Sequence, residues 1–277
     1  MIELRRAPGE FPLLVGHRGA CAVTPGNTMA SFQRALDDGA DLIEMDVRLT
    51  ADGHVVVRHD RLVDRTSDGS GPVAEMTLEA VKRLDAGSWF DPRFAGERVP
   101  TLAEVLTWAR GKIGLFLELK YDPYDGFNPA LAPAVVDCVS RHDMVEQVLL
   151  ISYSDRGLAH AKSLLPEIAT GPMPRRERSV RWTMWLVRHW PRLENVGWVR
   201  HLLLRPLVWT QAVGGDVLTP SIEIVTSTLV QAAHAAGMPV SSGGLKWDYP
   251  QAIAMGLDTV SANNPGLVRQ LYLTQSK

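Results

Sequence analysis

Acidic side chains occur within two short apolar runs of the sequence. Glu44 and Asp46 stand two apart in DLIEMDV, and Glu118 lies in LFLELK. Residues two apart in a strand point to the same face, so Glu44 and Asp46 should share a direction. Buried carboxylates are costly unless paired or bound to a cation, and oxygen ligands select a hard ion. The pattern therefore predicts a site for Mg²⁺ or Ca²⁺ that these three residues form.

Histidines and basic residues end similar apolar runs. His17 and Arg18 close LLVGHR, His59 closes HVVVRH, and Lys120 follows LFLEL. Arginine and lysine suit the oxygens of a phosphate, and histidine transfers protons near neutral pH. Each motif alone is weak, because a lone acidic pair usually ends a solvated strand. Their joint occurrence at predicted strand ends indicates one site for a cation, an anion and proton transfer.

The elements that must position these residues alternate between apolar strands and amphipathic helices. About eight strand–helix units run from residue 13 to residue 273. This alternation favours a parallel α/β architecture, and a count near eight favours a closed (β/α)8 TIM barrel. Residues 54–59 are taken as one of the strands. The chain, 1–277, is predicted to be one domain with a small inserted lobe at 61–100 and an irregular segment at 174–215.

Composition is that of an ordinary globular protein. The chain has 277 residues, 45% of them hydrophobic, and a formal charge of −2, which gives no general attraction to nucleic acid. No run of about 18 uncharged apolar residues indicates a transmembrane helix, and residues 1–12 lack the apolar core of a signal peptide. With two unpaired cysteines, the sequence predicts a cytoplasmic protein.

Several of these motifs resemble the glycerophosphodiester phosphodiesterase family. The resemblance rests on VGHRGA at 15–20, TPGNT at 24–28, GADLIEMDVRLTADGHVVVRHD at 39–60, VPTLAEVL at 99–106 and LFLELK at 115–120. It covers nearly the whole chain and implies a TIM barrel with a small insertion after the second histidine motif. It also implies metal-dependent hydrolysis of a glycerophosphodiester or a lysophospholipid-like substrate. The products would be glycerol 3-phosphate, or lysophosphatidate, and an alcohol.

The resemblance implies a role for each candidate residue. The catalytic pair is His17 and His59, the phosphate contacts are Arg18 and Lys120, and the metal ligands are Glu44, Asp46 and Glu118. The family usually has an acidic residue where this chain has Gly26, whereas Asn27 is kept and would orient a ligand or a phosphate oxygen. An aromatic residue is usual near the seventh strand end, where this chain has Ser241–Gly244. The last strand usually ends in Thr-Asp, where this chain has Ala262-Asn263.

The segment from Pro174 to Thr210 has an unusual composition. It holds five of the eight tryptophans and eight arginines against two glutamates, a formal charge of +6. Tryptophan and arginine on amphipathic helices are typical of interfacial membrane binding, so we expect peripheral membrane contact here. The alternative is that these tryptophans pack on the barrel or in a dimer contact.

Two alternatives to hydrolysis stay open at this point. Loss of the acidic residue at Gly26 could leave a non-catalytic phospholipid-binding barrel. A phospholipase D-type lyase would instead release a cyclic phosphate. The sequence does not assign the acid and the base among the histidines, nor does it choose between Mg²⁺ and Ca²⁺ or fix the head group or the oligomeric state.

Overall fold

The structure is a computed structural model. It describes residues 2–7, 10–121, 126–174, 183, 185, 187, 189–190, 192–193, 196–243 and 249–273. Its strands are β1 Leu13–His17, β2 Leu42–Leu49, β3 Val55–Val57, β4 Gly114–Leu119, β5 Val148–Ser152, β6 Ala169–Pro172, β7 Ser241–Ser242 and β8 Thr259–Ala262. Its helices are α1 Met29–Asp37, α2 Leu78–Arg83, α3 Leu102–Ala109, α4 Leu131–Arg141, α5 Asp155–Leu164, α6 Gly197–Leu203, α7 Arg205–Ala212, α8 Ser227–Ala235, α9 Tyr249–Met255 and α10 Pro265–Leu273.

Seven of the strands form a parallel sheet in the order β6-β5-β4-β2-β1-β8-β7. Their residues are almost all buried, as expected where helices cover the outside of a sheet and side chains fill the inside. The outer core joins β2 and β4 to α3 and α4 through aliphatic side chains such as Leu106, Leu117 and Val135.

The gap between β6 and β7 is bridged by the segment 216–221. The amide groups of Asp216 and Val217 donate to the carbonyl oxygen of Thr170, and Leu218 exchanges hydrogen bonds with the chain on either side of Val240. Residues 216–221 thus form isolated bridges rather than a regular strand, and they occupy the position between β6 and β7. The prediction of a TIM barrel is confirmed.

The extended run predicted at 54–59 contains a strand, β3, but this strand is not one of the parallel strands of the barrel. Strand β3 pairs antiparallel with β2, with Val57 opposite Val47 and Val55 opposite Leu49. Only a short turn around Gly53 joins the two strands, whereas a parallel connection needs a crossover of a dozen or more residues. The hairpin therefore returns the chain toward the barrel mouth and places His59 beside β2. His59 reaches the site from an antiparallel strand and not from the end of a parallel barrel strand.

Residues 61–100 pack around a small cluster of their own. Val63, Val73, Val81 and Leu84 are buried together against Val56 of β3. Further along, α6 and α7 show that part of the segment predicted to be irregular is helical. The other residues of 174–215 include several that lie outside the described part of the chain, among them Trp182 and all five arginines from 175 to 188.

Candidate functional site

The register of three strands brings the predicted metal ligands together. In β1 and β2, His17 lies opposite Glu44, and in β2 and β4, Asp46 lies opposite Glu118. One carboxylate oxygen from each of the three acidic residues lies within 4.8 Å of the others. The strands therefore place these side chains at one point of the barrel mouth, as the spacing predicted.

The loop after β1 holds two of these carboxylates. The backbone amide of Arg18 donates to Oε2 of Glu44 at 2.9 Å. Asn27 donates from Nδ2 to Oδ2 of Asp46 at 2.7 Å and accepts from the Asp46 backbone amide at 3.3 Å. Both Arg18 and Asn27 have positive φ, 52° and 63°, a conformation that costs energy for arginine and less for asparagine. The strained backbone of this loop thus places the groups that hydrogen-bond to Asp46 and Glu44.

Two basic side chains, Lys120 and Arg18, lie close to the carboxylates of β2 and β4. Lys120 Nζ lies 2.9 Å from Oδ1 of Asp46 and 2.6 Å from Oε1 of Glu118. Arg18 Nε lies 3.3 Å from Oδ2 of Asp46. Neither Asp46 Oδ1 nor Arg18 Nε has the alignment of a hydrogen bond, although both atoms are buried. Asp46 Oδ1 therefore has a positive charge nearby, but it still has a lone pair that a cation could use.

The three carboxylates differ in how readily they ionise. Burial, together with the charge of Asp46, raises the pKa of Glu44 well above its usual range. Burial also raises the pKa of Glu118, and the Lys120 charge only partly opposes this. For Asp46 burial acts in the same direction, but Lys120 and Arg18 outweigh it and lower the pKa.

The donor set fits a hard divalent cation. Glu44 and Asp46 are 5% and 1% exposed, so their negative charges are poorly solvated and repel each other. All three donors are carboxylate oxygens, which Mg²⁺ and Ca²⁺ prefer, and the buried Asp46 Oδ1 faces the ammonium group of Lys120 at 2.9 Å. A cation bound there would remove the penalty that raises the pKa of Glu44 and Glu118.

The two histidines have different partners. His17 Nδ1 lies 2.7 Å from Oδ1 of Asn263, and its Nε2 lies 3.9 Å from Oε2 of Glu44. His59 Nδ1 lies 2.7 Å from Oδ1 of Asp60, which Arg65 also contacts. One imidazole therefore faces a neutral amide, and the other faces a carboxylate.

Burial is the largest influence on both imidazoles, and it lowers the pKa of each. For His17 the charge of Arg18 adds to this effect. For His59 the charges of Lys120 and Arg18 add to it, while Asp46 opposes it. Both rings are therefore biased toward the neutral form.

Sequence reasoning missed the partners of both histidines. Asp60 directly follows His59, so its contact could have been read from adjacency. Asn263 stands just after β8, and the rule that chemistry gathers at the carboxyl ends of barrel strands pointed to it. Its partner could not be inferred, because β8 meets β1 only when the barrel closes.

A cavity of about 1400 Å³ opens beside the site. Four of the seven predicted residues line it, namely His17, Arg18, Glu44 and Glu118. Within the described part of the chain, Asp46, His59 and Lys120 are not part of its wall. Ser241, Ser242 and Gly243 form part of the wall, at the strand end where an aromatic residue was expected. The cavity thus extends from the charged cluster toward β7.

Among the described residues, no helix has both the length and the apolar character needed to span a bilayer.

Comparison with known proteins gives a consistent result. The model of the glycerophosphoryl diester phosphodiesterase family matches residues 17–266. A glycerophosphodiester phosphodiesterase of Caldanaerobacter subterraneus is 41% identical over 160 residues, which are 57% of this chain and 65% of that protein. One of Bacillus subtilis is 36% identical over 169 residues, 57% of this chain and 58% of that protein. The chain thus matches less than two thirds of the length of these relatives.

Solved structures match over almost their entire length. A glycerophosphodiester phosphodiesterase from Agrobacterium tumefaciens has 29% identity and a TM-score of 0.73, covering 92% of this chain and 98% of that one. A phosphodiesterase from Oleispira antarctica, in complex with the product sn-glycerol-3-phosphate, has 27% identity and a TM-score of 0.77, covering 94% and 96%. With the family model matching most of its length, the chain belongs to the glycerophosphoryl diester phosphodiesterase family.

Proposed function

We propose that the protein is a metal-dependent phosphodiesterase that hydrolyses a glycerophosphodiester or a lysophospholipid-like substrate. The products are glycerol 3-phosphate, or lysophosphatidate, and an alcohol. The observation that carries the proposal is the convergence of three carboxylates within 4.8 Å, beside an imidazole, a guanidinium and an ammonium group. The Oleispira antarctica neighbour, which binds sn-glycerol-3-phosphate, supports the same class of product.

Glu44, Asp46 and Glu118 would hold the cation, which is Mg²⁺ or Ca²⁺. When bound, it supplies a Lewis acid that polarises the phosphoryl group and lowers the pKa of a coordinated water. Arg18 lines the cavity and offers a fixed positive charge to a phosphate oxygen. Lys120 partly compensates the negative charges of Asp46 and Glu118. It also adds to the positive potential that a phosphodiester meets.

The partners of the two histidines support a different role for each. An amide oxygen only accepts, so with Asn263 Oδ1 at 2.7 Å the proton of neutral His17 sits on Nδ1. Its Nε2 then carries the lone pair, and we assign His17 as the general base. Asp60 is a carboxylate and stabilises a protonated His59, so we assign His59 as the general acid that protonates the leaving oxygen.

The cavity favours a substrate that carries an apolar group. Phe116, Ile151, Met173 and Val187 line it, and in the strand register Phe116 lies opposite Glu44 and Ile151 opposite Glu118. A short head group such as glycerol or choline does not need this apolar wall, whereas an acyl chain buries its surface against it. This observation supports the lysophospholipid-like member of the substrate class.

The test is an assay of glycerol 3-phosphate release together with phosphorus NMR of the product. We expect a phosphomonoester, loss of turnover in EDTA, and recovery with Mg²⁺ or Ca²⁺. A cyclic phosphate would identify a lyase instead, and turnover that persists in the chelator would contradict the metal site. Vesicle binding without turnover on any glycerophosphodiester would identify a non-catalytic phospholipid-binding barrel.

A further inference from the structure

Three exposed tryptophans lie on the stretch of chain that contributes Trp185 to the cavity wall. Trp185, Trp190 and Trp198 are 50%, 54% and 53% exposed. The rings of Trp185 and Trp190 lie edge to face with 5.9 Å between their centroids. Tryptophan is usually among the more buried residue types, and a set of exposed rings marks an interaction surface. We call these three residues the tryptophan rim.

The helical segments that carry the tryptophan rim are packed against the protein on their other face. Thr183 and Val187, four residues apart, are buried, whereas Trp185 and His189, also four apart, are exposed and stack with 4.6 Å between their ring centroids. Residues three or four apart share a helix face. The inner face is therefore occupied, and the tryptophan lies on the opposite one.

Helix α6 repeats this arrangement. Val199 and Leu203 are buried against Val187 and Ile224, while Trp198 is exposed. The core contacts of both segments are already made by aliphatic residues. The exposed tryptophans thus contribute little to these core contacts, and we infer that they bind a partner outside the chain.

The charge around the rim is positive. Arg192, Arg200 and Arg205 are exposed on the same stretch of chain. The whole segment 174–210 has eight arginines against two glutamates, a formal charge of +6 in a chain whose total is −2. Aromatic rings at the depth of the lipid head groups, combined with nearby cationic side chains, are what an anionic bilayer surface binds.

The rim also adjoins the catalytic cavity. Trp185, Val187 and His189 are part of the cavity wall that contains His17 and Glu44. A surface bound at the rim would therefore lie at the entrance of the site. An amphiphile leaving that surface could enter with its apolar part against the cavity wall and without crossing open water.

We propose that the tryptophan rim docks the protein on an anionic membrane surface, from which a single-chain amphiphile enters the cavity. Docking depends only on the rim and its arginines. The entry of substrate from the surface rests on the proposed function. A second copy of the chain is a less suitable occupant, because the concentrated like charge of the segment opposes pairing of two identical faces.

The experiment measures binding of the full-length protein to vesicles by sedimentation. Vesicles of phosphatidylcholine alone are compared with vesicles that also contain phosphatidylserine, at low and at high salt. We expect binding to the anionic vesicles at low salt and its loss at high salt. Replacing Trp190→Ala and Trp198→Ala together should weaken the partition at least about tenfold, since each removes apolar surface from the bilayer.

Charge variants test the second part of the surface. Arg192→Gln with Arg200→Gln should weaken binding roughly 30-fold, because each arginine near an anionic surface contributes a factor of about five. The matched controls are Trp89→Ala, which removes a tryptophan 45% exposed in another region, and Arg110→Gln with Arg141→Gln. These controls should bind as the parent does.

The outcomes separate docking from catalysis. Hydrolysis of a water-soluble glycerophosphodiester should stay unchanged in the Trp190 and Trp198 variant, and only turnover on vesicle-borne substrate should fall. Equal binding to neutral and anionic vesicles, no binding at low salt, or an equal loss in the controls would overturn the docking. A dimer that the same variant dissociates would show that the rim is a protein contact. Vesicle binding by a protein with no turnover on any substrate would leave the docking intact and reject the proposed function instead.

Discussion

The two sides of the barrel mouth differ in how their side chains are held. On the side of β1, β2 and β4, Asp46 is fixed from three directions, by Asn27, Arg18 and Lys120. On the side of β7, short hydroxyl residues face the cavity, and Ser242 Oγ donates to the backbone oxygen of Pro220. On the first side the side chains are held in place by contacts within the protein. On the second side the small side chains leave room in the cavity for a ligand. We therefore expect changes on the first side to affect turnover most, and changes on the second side to affect which substrates are accepted.

The largest effect should come from the histidines on the organised side. His17→Ala and His59→Ala should each lower kcat/KM about 10²–10⁴-fold, because proton transfer to and from the reacting oxygens is lost. The control is His54→Ala, an exposed residue of the same hairpin as His59. Kinetics with each purified variant check this. Near-parental activity in either would remove that histidine from the mechanism.

A substrate with a good leaving group sharpens the assignment. A phenolate with an electron-withdrawing substituent needs no proton to depart, so the His59→Ala variant should recover much of its rate on such a diester. The His17→Ala variant should not recover, since activation of the attacking water is still missing. The reverse pattern would exchange the two roles.

A smaller effect should follow from filling the open side. Ser242→Phe places a ring where the cavity wall is now a hydroxyl. The kcat/KM of a diester with a bulky apolar group should fall about tenfold more than that of a small glycerophosphodiester, as pocket size discriminates. The ratio of the two values is the measurement, because it does not depend on the fraction of folded enzyme. An unchanged ratio would show that β7 does not contact the substrate.

The smallest effect concerns stability. Because burial and Asp46 raise the pKa of Glu44 to about 8, folding near neutral pH without a cation requires this carboxyl to take up a proton or to bury a charge, and either costs stability. Glu44→Gln should therefore raise the Tm of the protein in EDTA by about 2–4 °C per kcal/mol of relieved repulsion, while activity is lost. The glutamine can still accept the hydrogen bond from the Arg18 amide.

The sign of the pH dependence is testable as well. A carboxyl with a raised folded pKa destabilises the protein at every pH above its ordinary pKa of about 4.3, and the penalty grows until the pH reaches the folded pKa. The Tm difference between parent and variant should thus shrink on acidification. Glu79→Gln, at a side chain 82% exposed, is the control and should shift the Tm little at any pH. A lower Tm for Glu44→Gln at neutral pH would contradict the account.

The sequence determined the strand alternation and the strand-end position of its reactive residues. Period-two spacing of Glu44 and Asp46 within a strand is local geometry, so their common direction could be predicted. The barrel followed from the number of strand–helix units, since covered parallel sheets have few ways to close. The turn at Asp52-Gly53 was visible in the sequence, but apolar runs do not reveal strand direction, so the antiparallel pairing of β3 with β2 was not predicted.

Tertiary structure decided which side chains meet. Lys120 follows Glu118 in the chain, yet it also contacts Asp46 because β4 lies beside β2 in a particular register. His17 and Asn263 are 246 residues apart and are joined only when β8 pairs with β1 at barrel closure. Burial, which sets the pKa values of these groups, likewise belongs to the packed molecule. Residue types and local spacing fix what chemistry is available, and long-range packing fixes the distances and the dielectric environment in which it operates.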